Sequence, residues 1–270
     1  MNITFIGGGN MACALIGGLL QRDYSPGQIR VAEINAETRS KIKHEFRVET
    51  MAELAEGVAN SDVIVLAVKP QQLSVVAREL APLLNTHLII SIAAGIRAKD
   101  ISRWLAGYSR VVRAMPNTPA LIRAGVTGLY AMAGVNDEEK QSAEAILAAV
   151  GTVLWVESEE LLDAVTAISG SGPAYVFYFL EAMQKAGHEL GLDPAQARRL
   201  SIETFLGAAG LAGQSNESVS LLRARVTSPG GVTERAIQSL ENEGVKNAIE
   251  RAIHVAHQRS REMGDEFGKT

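Results

Sequence analysis

The chain has 270 residues, 26 basic and 30 acidic side chains and a formal net charge of −4. Charges of both signs are interspersed, which offers no basic face to a nucleic-acid backbone, and no apolar run has the length of a membrane span. The single cysteine, Cys13, rules out an intrachain disulfide and fits a reducing compartment such as the cytoplasm.

The amino terminus has no basic patch ahead of an apolar core, which argues against a secretory signal. Short β-rich runs follow at 3–6, 29–33, 63–68, 88–92 and 111–114, with helical patterns at 11–20, 36–46, 71–84 and 99–105 between them. Such alternation predicts βαβ units, hence a doubly wound, mostly parallel sheet with helices on both faces. The runs at 63–68 and 88–92 are nearly all apolar, as suits strands buried on both sides. Strands at 126–131 and 153–156 flank a helix at 137–150. Beyond that the texture is helical only: 161–190, 194–212, 219–226, 233–242 and 245–263. The expected division is an α/β domain over 1–157 and an all-α domain over 158–270.

Two features point to surface buried beyond an ordinary core. Counting the 25 glycines and omitting the five tyrosines raises the apolar content from 47% to about 54%, against a usual ~45–50%. In the run 161–190, Tyr175, Phe177, Tyr178, Phe179 and Leu180 surround the helix axis instead of forming one stripe. A helix apolar all round must be covered on all sides, as a central core helix or in a subunit interface. Pro173 with Gly170 and Gly172 should bend or interrupt that helix.

Gly7-Gly8-Gly9-Asn10-Met11-Ala12 follows the first strand and opens a helix. It fits G-x-G-x-x-A, with Gly7 for the turn, Gly9 for close approach of a pyrophosphate and Ala12 for helix–sheet packing. The helix start presents free N–H groups to phosphate. Glu33 lies about 20 residues further on, where an acid can bind an adenosine 2′-OH. It can equally be a solvated strand-end carboxylate, with Arg39 either its partner or a phosphate receptor, so NADH and NADPH both stay open. Ala67-Val68-Lys69-Pro70 and Ser91-Ile92-Ala93-Ala94-Gly95 close two further strands and should line the same crevice. The small residues Ala93, Ala94 and Gly95 would let a flat nicotinamide approach the backbone. Met115-Pro116-Asn117-Thr118-Pro119 is a rigid loop whose polar groups are Asn117 and Thr118.

In the second half, Val226-Thr227-Ser228-Pro229-Gly230-Gly231-Val232-Thr233 precedes a helix. It is either a second anion site at a helix start or an interhelical turn capped by Thr233. His254 and His257 can share a helix face, but no cysteine or acid completes a metal set, so no metal is expected. Cys13 reads as a small buried hydrophobe.

Taken together, these segments, with Arg113-Ala114-Met115 and Ser169-Gly170-Ser171-Gly172-Pro173-Ala174-Tyr175, resemble the pyrroline-5-carboxylate reductase family along nearly the whole chain. The resemblance implies a Rossmann domain and a helical oligomerisation domain. It implies NADPH- or NADH-dependent reduction of 1-pyrroline-5-carboxylate to L-proline, and homodimers that assemble as a pentamer of dimers. It places Ile6, Gly7, Gly8, Gly9, Asn10, Met11, Glu33, Ala67, Val68, Lys69, Pro70, Ile92, Ala93, Ala94 and Asn117 at the cofactor. It places Ser228, Gly230, Gly231, Val232 and Thr233 around the substrate carboxylate, with the Thr233 hydroxyl as the catalytic group near the ring nitrogen. Glu33 departs from the small hydroxyl residue often found in NADPH-preferring members. A related hydroxyacid dehydrogenase would need a lysine soon after Gly172, and the next is Lys185. A non-catalytic dinucleotide sensor would not need the loop at 228–233.

Overall fold

The computed structural model describes residues 1–269. The chain forms two compact units, Met1–Ser171 joined by the segment from Ala256 on, and Gly172–Val255.

The first unit carries eight strands: β1 (Ile3–Ile6), β2 (Ile29–Ala32), β3 (Glu49–Met51), β4 (Val63–Leu66), β5 (Leu88–Ser91), β6 (Val111–Met115), β7 (Gly125–Ala131) and β8 (Gly151–Trp155). They form one sheet in the order β3-β2-β1-β4-β5-β6-β7-β8. All neighbours from β3 to β6 run parallel. β7 is antiparallel to β6, and β8 is parallel to β7. The helices of this unit are α1 (Asn10–Leu20), α2 (Ala36–Phe46), α3 (Leu54–Val58), α4 (Pro70–Leu80), α5 (Ala98–Trp104), α6 (Asp137–Ala148) and α7 (Leu161–Val165).

Strand side chains alternate between two cores because successive residues face opposite sides of a sheet. Val63 and Val65 join Phe5, Leu15, Ile16 and Ile146 in one core. Ile64 and Leu66 join Leu73, Leu80, Ile101 and Trp104 in the other. Each fully buried Leu, Ile or Phe contributes about 1.5–3 kcal/mol of transfer free energy, so this apolar alternation fixes the strand register.

Three local readings change. β3 and α3 are additional elements of three and five residues. Glu49-Thr50-Met51 has no strand signature of its own and becomes a strand by pairing with β2, where Arg30 Nε lies 3.1 Å from Glu49 Oε2. The helix expected to reach residue 84 ends at Leu80 and tightens into a 3-10 turn at Ala81–Leu83, because Pro82 has no N–H to donate. The long helical run from residue 161 is broken into α7, a π-helical turn at Thr166–Gly170 and α8 (Gly172–Glu189). Ser171 N–H reaches back to the Thr166 carbonyl at 2.9 Å, five residues away, as Pro173 and its flanking glycines lead one to expect.

The second unit contains α8, α9 (Pro194–Gln214), α10 (Val219–Arg225), α11 (Val232–Asn242) and the first part of α12 (Val245–Phe267). The turn into α9 is closed by a capping box, with Asp193 and Gln196 each accepting from the other's backbone N–H. Among its described residues only Ala197 and Ser201 are buried. Tyr178 is 73% exposed and Leu206 63% exposed. α8 buries no residue, which removes the central-core reading of that helix. Among the described residues, no helix is long and apolar enough to cross a membrane.

In the first unit the far end of α12 is tied down by buried charge. Arg113 on β6 is 4% exposed. Its Nη1 lies 3.0 Å from Glu159 Oε1, and its Nη2 lies 4.0 Å from Asp163 Oδ1. The Ser260 hydroxyl of α12 donates to Asp163 Oδ1 at 2.6 Å. Removing one member of a buried ion cluster leaves its partners uncompensated. Arg113→Leu should therefore lower stability by about 3–5 kcal/mol, read as a shift in the denaturant midpoint.

Candidate active site

The crevice lies outside the carboxyl ends of β1, β2 and β4, where the chain order of the sheet reverses. Ile6 pairs with Ala32 on one side and Leu66 on the other. Gly7 is therefore wedged between the residues that follow: its N–H donates to the Ala32 carbonyl at 2.8 Å. Its φ is +98°, and a Cβ there would stand 2.8 Å from the Ala67 carbonyl oxygen, so only glycine fits. Gly9 is the N-cap of α1 and has ordinary φ of −73°. A Cβ on Gly9 would meet nothing within 4 Å, so its missing side chain leaves space open to the crevice.

No side chain caps α1 and its first turn holds no acid. Cys13 N–H is the first to bond back, to the Gly9 carbonyl at 3.0 Å. The N–H groups of Asn10, Met11 and Ala12 thus lie ahead of the first helical hydrogen bond, next to the positive end of the helix dipole. Such donors can bind a phosphate anion.

Glu33 stands across the turn. Its Oε2 accepts from Gly8 N–H at 2.9 Å and its Oε1 from Asn35 N–H at 2.8 Å. The Arg39 guanidinium does not pair with that carboxylate. It donates instead to the backbone carbonyls of Glu33 at 2.7 Å and Ile34 at 2.9 Å. Glu33 is thus a positioned carboxylate at the end of β2, not a loosely solvated one.

The cavity at this place has a volume of about 770 Å³, within the range for small-molecule and cofactor sites. Its walls bring together Ile6, Gly7, Gly8, Gly9, Glu33, Ala67, Val68 and Lys69. Asn10, Met11 and Pro70 stand at the starts of α1 and α4, beside that wall. Ile92, Ala93 and Ala94 follow β5 outside the wall, and Ala93 is packed into a core at 5% exposure. A Cβ on Gly95 would meet Met263 at 3.0 Å, so its small size serves the packing of α12. Asn117 is 9% exposed, and its amide spans two segments: it donates to the Ser169 carbonyl at 3.0 Å and accepts from Val126 N–H at 2.9 Å.

Sequence reasoning missed the far wall: Ile34, Asn35, Thr38, Ala52, Leu54, Gln71, Gln72, Val75 and Val76. Ile34 at 81% and Val75 at 57% exposure are apolar side chains in solvent beside a polar cradle. An unexplained isoleucine directly after a strand-end acid was the signal available. These side chains suit the flat, apolar face of a purine.

Burial, with Glu45 second, pushes the Cys13 thiol above its ordinary range, so it stays protonated and unreactive at neutral pH. No cluster of His, Cys, Asp or Glu among the described residues can hold a metal.

In the second unit the other expected segment forms a tight turn into α11. Gly231 N–H donates to the Ser228 carbonyl at 3.0 Å, and Gly231 is the N-cap of the helix. Thr233 is therefore inside the first helical turn, not its cap. No side chain caps this end, and the Thr227 hydroxyl is turned away onto the Arg223 carbonyl at 2.7 Å.

A reversed parallel sheet, a glycine turn facing an uncapped helix start and a carboxylate one strand away define a Rossmann-type dinucleotide-binding protein. Residues 159–263 match the family model for pyrroline-5-carboxylate reductase dimerisation, and residues 2–95 match that for coenzyme F420-dependent NADP oxidoreductase. The pyrroline-5-carboxylate reductase of Pseudomonas aeruginosa is 48% identical over 268 residues, covering 99% of this chain and 98% of that protein. The solved pyrroline-5-carboxylate reductase of Coxiella burnetii is 44% identical with a TM-score of 0.92, covering 97% and 98% of the two chains. The Plasmodium falciparum pyrroline carboxylate reductase, solved with NADP bound, is 28% identical with a TM-score of 0.88, over 98% of both chains. The chain belongs to the pyrroline-5-carboxylate reductase family.

The two glycines of the turn should separate in experiment. Gly9→Val fills open space, so it should melt like the parent while raising the Kd for NADH and NADPH about tenfold or more, a loss of ~1.4 kcal/mol. Gly7→Ala, forced to positive φ against a carbonyl, should lower the melting temperature. Thermal melts and dinucleotide titration of both variants check this.

Proposed function

We propose that this protein reduces 1-pyrroline-5-carboxylate to L-proline with NADPH or NADH, the last step of proline biosynthesis. The observation that carries it is the end-to-end match to pyrroline-5-carboxylate reductases, including the dimerisation segment as well as the dinucleotide half. Reduction adds a hydride to the imine carbon and a proton to the ring nitrogen. The dihydronicotinamide, when bound, supplies the hydride. The chain's own work is orientation, since an imine is readily protonated and needs no strong acid.

On this reading residues 1–157 bind the dinucleotide, and 158–270 bind the substrate and make the interface. The uncapped start of α1 at Gly9, Asn10 and Met11 takes the pyrophosphate. Glu33, held by Gly8 and Asn35, presents its carboxylate to the ribose. Ile6, Gly7, Gly8, Ala67, Val68, Lys69 and Pro70 frame the dinucleotide, while Ile92, Ala93, Ala94 and Asn117 shape the nicotinamide end. Ser228, Gly230, Gly231, Val232 and Thr233 surround the substrate carboxylate at the start of α11, with the Thr233 hydroxyl at the ring nitrogen. Support comes from the uncapped helix end and the family's motif at these positions. The assembly is a homodimer that builds a decamer as a pentamer of dimers, and its place is the cytoplasm.

Two substitutions test the assignments. Thr233→Ala removes one hydroxyl and leaves the backbone donors. It should lower kcat/KM for pyrroline-5-carboxylate roughly threefold to a hundredfold and leave dinucleotide binding unaltered. Full activity in that variant removes the loop from the reaction. Glu33→Ser removes a negative charge from the ribose end and should raise the NADPH/NADH ratio of kcat/KM. An unchanged ratio means that Glu33 does not face the ribose.

A further inference from the structure

The first turn of α11 carries an acid, Glu234, that the proposed reaction does not use and that reaches back to the turn leading into the helix. Ser228, Pro229, Gly230 and Gly231 form a β-turn closed by Gly231 N–H on the Ser228 carbonyl, 3.0 Å. Gly230, its third residue, has φ of +70°. Proline at the second position and a positive φ only at the third are the marks of a type II turn. The N–H of its central peptide belongs to Gly230, and it donates to Glu234 Oε2 at 2.8 Å. Glu234 sits in the first turn of α11.

We propose that Glu234 is a positioning residue: its carboxylate latches the Pro229–Gly230 peptide, and so holds the start of α11 ready for the carboxylate of a ring substrate. This rests on the reading of the loop as the substrate site. Types I and II of a β-turn differ by rotation of the central peptide, which exchanges the directions of its C=O and N–H. Gly230 can adopt both forms at little cost. Only in the observed form does its N–H meet Glu234, and a hydrogen bond to an ionised acceptor is stronger than a neutral one.

The latch matters because the remaining donors are few. Gly231 N–H is spent inside the turn, and Gly230 N–H is spent on Glu234. The N–H groups of Val232, Thr233 and Glu234 precede the first helical bond, since Arg235 N–H is the first to reach back, to the Gly231 carbonyl at 3.3 Å. An entering carboxylate is met by these donors. A flipped peptide would turn the Pro229 carbonyl oxygen to the side that now shows an N–H, and would disorder the entry to the helix. Glu234 acts through the backbone and needs no contact with substrate.

The test compares Glu234→Ala and Glu234→Gln with the parent, using pyrroline-5-carboxylate and 1-pyrroline, the same ring without a carboxylate. Glu234→Ala should raise KM for pyrroline-5-carboxylate about three- to tenfold, the range expected for one lost hydrogen bond. It should leave kcat, dinucleotide KM and turnover of 1-pyrroline within about twofold of the parent. Glu234→Gln keeps a neutral acceptor oxygen and should raise KM for pyrroline-5-carboxylate by less than Glu234→Ala does. A silent Glu234→Ala overturns the latch. So does a Glu234→Gln as damaging as Glu234→Ala, or an equal loss on both rings. If Thr233→Ala is impaired while Glu234→Ala is silent, the latch alone fails. If Thr233→Ala is fully active, the loop is not the substrate site and the latch falls with it.

Discussion

Backbone at the first βα turn must come within van der Waals reach of the neighbouring strand end, and much of the first unit is arranged around that constraint. Gly7 is pinned to Ala32 on one side and pressed against Ala67 on the other. That contact exists only because Ile6 pairs in register with both Ala32 and Leu66. Register in turn follows from the two-sided burial of β1 and β4, whose side chains are divided between the two cores. A slip by one residue would invert every core side chain and would also carry Gly7 out of its slot. Packing and the open, uncapped start of α1 are thus two results of one alignment. The start of α1 then points its unpaired N–H groups at the crevice without any added polar side chain.

The second unit follows a different rule. Its helices are well formed, with the Asp193–Gln196 box at one start and Ser218 capping another at 3.3 Å. Yet only Ala197 and Ser201 are buried in it. Helices with that much apolar surface in water are not stabilised by propensity alone, because tertiary burial supplies most of a helix's stability. Exposed Phe177, Tyr178 and Leu206 need a covering surface. The family to which the chain belongs names this segment for dimerisation. The exposed apolar side chains of this unit fall within that dimerisation segment. The Asp163–Ser260 contact meanwhile keeps the far end of α12 fastened within the first unit.

Much of this is legible in the sequence. The β/α alternation, the glycine turn, Glu33 at the end of β2 and the loop ahead of α11 are local signals, carried by residues within one or two turns of each other. Period-2 and period-3.6 patterns report which face of an element is buried, and that suffices for the order of the elements and the likeness to the family. Glycine and proline mark the breaks, so the interruption before α8 was foreseeable from Pro173.

What the local pattern could not carry is anything that depends on two distant segments meeting. β3 is a strand only because β2 lies beside it. β7 runs antiparallel because it returns along β6, which no residue in β7 announces. Ile34 and Val75 look like stray apolar residues until the sheet places them on one wall of a cavity. Arg39 could have paired with Glu33, but the bend after β2 gives Glu33 to Gly8 and Asn35 and gives Arg39 to carbonyls. The sequence by itself determined the class of fold, the dinucleotide turn and the family, because these rest on short-range periodicity and backbone allowances. Tertiary structure alone decided partners across the crevice and which apolar side chains stay uncovered, because hydrogen bonds and burial are satisfied by whichever group the closed sheet brings nearest.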